Sequence, residues 1–343
     1  MRLREHGLRI GELDPGPHNA ITDVPGVTVG HVTVWRDEPR VARTGVTAIL
    51  PGPVKSLLKE PVPAGTAVLN GAGELTGSLE IAEWGVIETP VYLTSTHAVG
   101  RVMDGAVAVA VEADPAVGVD NVVIPVVGEC DDSWLNDARV VQVEAADSGR
   151  AVAAASQEVA EGAVGAGTGM VCFDRKSGIG TSSRLVPELG CTLGVLVLTN
   201  FGVAGELRID GVPVGRMLPP VEERSGKAGS CIVVVATDAQ LAPAQLERVA
   251  RRAGLGLART GSVAYHGSGE IFLAFATTDR RSVPDDELDP LFQATVDATE
   301  EAVVNSLWAA TDVTGREGRV VPALPHADVL ELLGEAQRLG RGR

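Results

Sequence analysis

Ala228-Gly229-Ser230-Cys231-Ile232-Val233-Val234-Val235-Ala236 is the stretch on which the reading of this chain turns. From Cys231 onward it is short, β-branched and uncharged, which predicts a buried strand. Just before it runs a polar, proline-bearing segment, Pro219-Pro220-Val221-Glu222-Glu223-Arg224-Ser225-Gly226-Lys227. Ser230 therefore stands where an exposed segment enters a core strand. Two readings are open at this point. Gly229 can be a turn glycine followed by a serine that only starts a strand. Alternatively the Gly229–Ser230 bond is cut, and Ser230 gains a free α-amine with an unperturbed pKa near ~8. That amine can take the hydroxyl proton, so one residue supplies both nucleophile and base. Gly229 suits such a step, because it has no Cβ to obstruct attack on its carbonyl.

The flanking sequence predicts a mixed fold. Residues 26–35 alternate like a strand, and Thr44 to Leu50 read as its partner. Ala98 to Ala113 reads as a helix of small residues, Asn121 to Val127 as a buried strand and Ala146 to Glu161 as a second helix. Leu193 to Thr199 is an apolar strand closed by Asn200. After Ser230 a helix is expected over about 242–257, with Leu246, Val249, Ala250, Ala253 and Leu257 on its apolar face. A strand over 271–276 and helices over about 286–310 and 327–339 complete the pattern. No βαβ unit repeats, so a layered α/β or α+β sandwich is expected rather than a doubly wound sheet. Pro213 to Gly229 reads as an exposed linker.

Composition narrows the function classes. With 343 residues and a 45% hydrophobic fraction, the chain can bury a large core. It has 41 glycines and only 3% aromatics, so small residues must fill much of that core. A net charge of −16 repels a phosphate backbone and argues against a nucleic-acid partner, while tolerating a small cationic substrate. The four cysteines (Cys130, Cys172, Cys191, Cys231) show no CxxC spacing and read as reduced, mostly buried thiols. Residues 1–7 lack the apolar run of a signal peptide, and no apolar stretch has the length of a membrane span. A soluble, cytoplasmic protein with no membrane partner is the expectation.

Several motif classes are excluded. Gly165-Ala166-Gly167-Thr168-Gly169 follows a helical pattern instead of a strand, and its glycines are too close for a dinucleotide loop. The six histidines form no HExxH or other ligand pair, so neither a metal nor another cofactor is expected. A GxSxG elbow is absent. His266 lies near Ser268, where a base is one reading and a polar loop histidine the favoured one.

An ordered series of short blocks decides between the two readings of Ser230. Ile21-Thr22-Asp23-Val24-Pro25-Gly26-Val27-Thr28-Val29-Gly30-His31 comes first. Glu129-Cys130-Asp131-Asp132-Ser133-Trp134-Leu135-Asn136-Asp137 follows, and then residues 167–184, beginning Gly167-Thr168-Gly169-Met170-Val171-Cys172. Leu198-Thr199-Asn200-Phe201-Gly202, Gly229-Ser230, Gly267-Ser268-Gly269-Glu270-Ile271-Phe272 and Thr314-Gly315-Arg316-Glu317-Gly318 complete it. Together these blocks resemble the DmpA-like family, the L-aminopeptidase/D-esterase-amidases and β-peptidyl aminopeptidases. Each block is weak alone; their order over nearly the whole chain is specific.

The resemblance implies a four-layer αββα sandwich, similar to N-terminal-nucleophile hydrolases and to ornithine acetyltransferases. It implies a single domain, 1–343, that cleaves itself before Ser230 into a larger fragment, 1–229, and a smaller one, 230–343. The pairs would assemble as homotetramers. Ser230 would be the nucleophile and its α-amine the base. Asn200 would donate to the oxyanion. Ser268 and Glu270, two apart and so on one strand face, would hydrogen-bond around the Ser230 amine and hydroxyl. Glu129 would bind the free ammonium of a small peptide, amide or ester substrate. One position departs from the family. Where an aromatic residue is common, two after the glutamate, this chain has Asp131. An ionised carboxylate repels an oxyanion, so Asp131 would bind the cationic amine or point away. An acyl-transferring relative of the ornithine acetyltransferases, and an uncleaved non-catalytic member, are the alternatives.

Overall fold

The computed structural model describes residues 2–222, 229–277 and 282–340. The chain begins with β1 (Thr28–Arg36), β2 (Ala42–Leu50), α1 (Val54–Leu57), β3 (Val62–Gly71), α2 (Ser78–Trp84), β4 (Val86–Ile87), β5 (Val91–Ser95) and α3 (Val99–Ala113). It continues with β6 (Val126–Cys130), α4 (Ala146–Ala153), β7 (Val171–Cys172), β8 (Arg175–Lys176), β9 (Ile179–Val186), β10 (Cys191–Asn200) and α5 (Val214–Met217). The last third holds β11 (Gly229–Thr237), α6 (Pro243–Arg259), β12 (Ser268–Ala276), α7 (Asp289–Trp308), β13 (Val313–Thr314), β14 (Val320–Val321) and α8 (His326–Glu335).

One sheet has the order β1-β2-β5-β6 and a larger one the order β4-β3-β12-β11-β10-β9. Ile49, Leu93 and Cys130 of the first share a core with Leu196, Ile232, Val234, Leu273 and Phe275 of the second. On the other side of the larger sheet, Val197, Val233 and Phe272 meet Leu246 and Ala253 of α6 and Leu291 and Ala298 of α7. Behind the smaller sheet, Val46, Tyr92 and Val127 meet Val102 of α3 and Ala151 of α4. The layers run αββα, as the resemblance implies. Along β11, Ile232 and Val234 face the partner sheet while Val233 and Val235 face the helices. Both faces are covered, which is why this strand reads as an unbroken apolar run.

Small residues permit the close layering. A Cβ on Gly180 of β9 would lie 1.9 Å from the Ala302 carbonyl oxygen of α7. β11 pairs antiparallel with β10 and parallel with β12, and β12 pairs antiparallel with β3. Strands from before and after Gly229–Ser230 thus interleave within one sheet.

Three sequence expectations are corrected. The strand expected over 121–127 is β6, Val126–Cys130. The chain turns back at Gly118–Asn121, Val119 and Val122 are exposed, and Pro125 offers no N–H for a ladder. The shift matters, because it places Glu129 inside the strand. The helix expected over 146–161 ends at Ala153, since Ser156 leaves it to pair with Val29 of β1. The linker expected over 213–229 starts as α5 with Val214 and Leu218 buried, and its residues 223–228 lie outside the described ones. All four cysteines are buried.

Candidate active site

The C-terminal end of β10, the N-terminal end of β11 and the C-terminal end of β6 converge on a cleft of about 730 Å³. Asn200, Gly229, Ser230, Glu129 and Asp131 all line it. Glu129 and Ser230 are 101 positions apart in the sequence; the antiparallel register brings Asn200 directly opposite Ser230. Both side chains follow Leu198 and Ile232 onto the face turned toward the smaller sheet.

Ser230 is buried, and its Oγ donates to the Gly229 carbonyl oxygen at 2.6 Å. The hydroxyl therefore rests against the carbonyl of the bond that self-cleavage would break. A Cβ on Gly229 would lie 2.5 Å from the Asn200 carbonyl oxygen. Only glycine fits this close approach without shifting the backbone. The Asn200 side chain is oriented from two sides. Its Oδ1 accepts the Val171 N–H at 3.0 Å, and its Nδ2 donates to the Asp131 carbonyl at 2.8 Å. The amide nitrogen is thereby held at the cleft.

Glu129 is buried, not a surface carboxylate. Oε1 accepts the Glu74 N–H at 3.0 Å, and Oε2 accepts the Thr96 hydroxyl. Burial raises its pKa above the ordinary 4.5, against the lowering effect of these two bonds. Asp131 is exposed, and Ser133 occupies both of its carboxylate oxygens, through the N–H at 2.8 Å and the hydroxyl at 3.0 Å. Its carboxylate is folded into its own loop, while its carbonyl serves Asn200.

Ser268 donates to Glu270 Oε1, so the pair meets on one strand face as expected. The expected contact with the Ser230 hydroxyl is not observed. Gly229 pairs with Ser268 and Cys231 with Glu270, so this couple projects toward the helix layer, on the face opposite Ser230. Burial raises the Glu270 pKa, with the Ser268 bond working the other way. Its Oε2 is buried without a hydrogen-bond partner among the described residues. His266 is exposed.

The sequence reading missed Lys176. It is fully buried and donates to the carbonyls of Gly167 at 3.2 Å, Met170 at 2.7 Å and Ser177. Burial lowers its pKa to about 7. This lysine ties down the turn from which Val171 reaches Asn200. The lysine of block 167–184, flanked by Arg175 and Ser177 within a recognisable motif, was the available signal. Thr96 and Glu74, which hold Glu129, carry no motif of their own.

The pattern of peptidase family S58 matches residues 19–321, which include every residue of this cleft. The chain belongs to peptidase family S58. It is 40% identical to the β-peptidyl aminopeptidase BapA of Sphingosinicella microcystinivorans, over 96% of this chain and 91% of that protein. Among solved structures, a β-aminopeptidase from Burkholderia sp. superposes with a TM-score of 0.92 at 43% identity, covering 100% of both chains. The L-aminopeptidase D-Ala-esterase/amidase of Ochrobactrum anthropi, described as a prototype serine aminopeptidase with a variant Ntn-hydrolase fold, gives 0.89 at 38% identity, covering 99% of each. This S58 chain is therefore a DmpA-like, aminopeptidase-type protein with the Ntn-hydrolase-like sandwich. No helix among its described residues is long and apolar enough to cross a membrane.

Proposed function

We propose that this S58 peptidase is a self-cleaving serine aminopeptidase that removes a small N-terminal α- or β-amino residue from short peptides, amides or esters. The observation that carries the reading is the placement of Ser230 opposite the oriented Asn200 amide in a cleft that also holds buried Glu129. Self-cleavage at Gly229–Ser230 yields fragments 1–229 and 230–343, and the interleaved pairing of β3 with β12 and β10 with β11 keeps them together. Cleavage frees the Ser230 amine. The amine takes the hydroxyl proton as Oγ attacks the substrate carbonyl, and Asn200 Nδ2 donates to the oxyanion. One such donor is worth on the order of 3 kcal/mol in the transition state. The new ammonium then protonates the leaving amine, and water releases the acyl group by the reverse sequence. Glu129 anchors the substrate ammonium. Ser268 and Glu270 act from the other face of the strand, on the freed nitrogen instead of on the hydroxyl. The processed pairs assemble as cytoplasmic homotetramers; exposed Leu69, Leu255 and Val263 around an apolar hollow support association.

The test is hydrolysis of Ala-, Gly- and β-Ala-p-nitroanilides. The wild-type protein is expected to release p-nitroaniline and Ser230→Ala none, whereas undiminished turnover by Ser230→Ala would place the nucleophile elsewhere.

A further inference from the structure

The cleft is lined by charges of both signs: Glu74, Glu129 and Asp131 on one hand, Arg316 and Arg319 on the other. Both arginines sit on the turn between β13 and β14, and that turn is fastened to the 131–137 loop by the Arg316 N–H donating to the Leu135 carbonyl at 2.8 Å. Arg319 is preorganised by Trp134. Its guanidinium carbon lies over the ring, 4.2 Å from the centroid, and its Nη1 donates to the Trp134 carbonyl at 3.3 Å. Glu317 holds the two guanidiniums together, at 3.4 Å from Arg316 and 2.7 Å from Arg319. It does so from outside the cleft, lining a separate surface depression. Among the described residues Glu317 is the one carboxylate paired with these two guanidiniums, which leaves the cationic pair one charge in excess. Arg316 also keeps a buried Nε with no hydrogen-bond partner among the described residues. A buried N–H without an acceptor is costly, so this guanidinium is incompletely satisfied.

We propose that Arg316 and Arg319 form a carboxylate subsite that receives the C-terminal carboxylate of the leaving residue, so that the preferred substrate is a dipeptide-like zwitterion. This rests on the aminopeptidase reading, with the substrate ammonium at Glu129. The opposite charges of Glu129 and of the arginine pair then fix the direction of the substrate, and planar guanidiniums suit a carboxylate better than a neutral amide end.

The experiment compares kcat/KM for Ala-Ala, Ala-Ala-amide and Ala-Asp-amide. Wild-type protein is expected to favour Ala-Ala over its amide by about tenfold or more, the usual scale for a charge-assisted contact. Arg316→Gln and Arg319→Gln should each bring that ratio toward one. The ratio is measured on one protein, so partial misfolding cancels. Ala-Asp-amide should behave like Ala-Ala-amide; equality with Ala-Ala would mean that any carboxylate suffices and would overturn the C-terminal assignment. Calorimetric binding of Ala-Ala and Ala-Ala-amide to the Ser230→Ala chain separates the two hypotheses. Discrimination in binding without turnover in the wild type keeps the subsite and removes the aminopeptidase reading. Equal binding together with equal turnover overturns the subsite alone.

Discussion

At the scale of single residues, the cleft works through groups whose environment gives them a direction. Glu129 is the clearest. Only its ionised form attracts an ammonium, and burial raises its pKa above 4.5. Affinity for a cationic inhibitor such as alaninamide should therefore fall as pH drops through a midpoint above the ordinary carboxylate range. Glu129→Gln should bind about 10-fold or more weakly and show no such midpoint; competitive inhibition measured across pH checks both. An unchanged midpoint in Glu129→Gln would assign the ammonium contact to another group. Ser230 and Asn200 were legible in the sequence because each stands at a strand end inside a recognisable block, and Glu129 because it opens a block of its own. Lys176 was not, because its partners are carbonyls of its own turn, and a carbonyl leaves no mark in a sequence. Asp131 was legible as a departure but not in its effect: Ser133 takes its carboxylate, and its backbone does the work.

At the scale of elements, the core strands after Ser230 were readable and several before it were not. β11 and β12 are continuous apolar runs buried on both faces. β3 contains Pro63, Gly65 and Asn70, and β9 contains Thr181, Ser182, Ser183 and Arg184, so neither has the pattern of a core strand. Yet all four β9 residues are fully buried, with Thr181 donating to the Val195 carbonyl at 2.7 Å and Ser182 to the Ala298 carbonyl at 3.0 Å. Tertiary partners replace water for these groups, and composition cannot announce them. The inter-sheet core is instead uniformly apolar. Leu196→Ala, at its centre, should destabilise the protein by about 2–5 kcal/mol in urea unfolding, the range for a truncated buried leucine. A loss below about 1 kcal/mol would mean that the two sheets close over the gap.

At the scale of the whole molecule, one buried ion cluster joins segments far apart in sequence. Arg4 grips Glu301 through bonds of 2.9 and 2.7 Å, Asn19 donates to it at 2.7 Å, and fully buried Arg184 of β9 donates at 2.7 Å. It thus ties the N-terminal segment and β9 to α7, across the division that the proposed cleavage before Ser230 would make. Burial alone would raise the Glu301 pKa, but its bonds to Arg4, the charges of Arg184 and Arg4, and Asn19 hold it at about 2. A depressed carboxylate pKa contributes stability that is fully present above the unfolded value near 4.5 and is lost as pH falls toward 2. Glu301→Gln leaves Arg184 buried without a counter-charge and should cost about 3–5 kcal/mol at neutral pH. Its stability should also decline less than wild type between pH 4.5 and 2, as thermal unfolding across that range can measure.

The claim that joins these scales is that the Gly229–Ser230 bond is broken by Ser230 to make the active enzyme. Intact-mass measurement with N-terminal sequencing of the denatured protein tests it most directly. Two fragments are expected, residues 1–229 and 230–343, the second beginning Ser-Cys-Ile-Val, and a single uncut chain for Ser230→Ala. A single uncut chain in a wild-type preparation that hydrolyses peptides, or a second fragment beginning at any other residue, would contradict it.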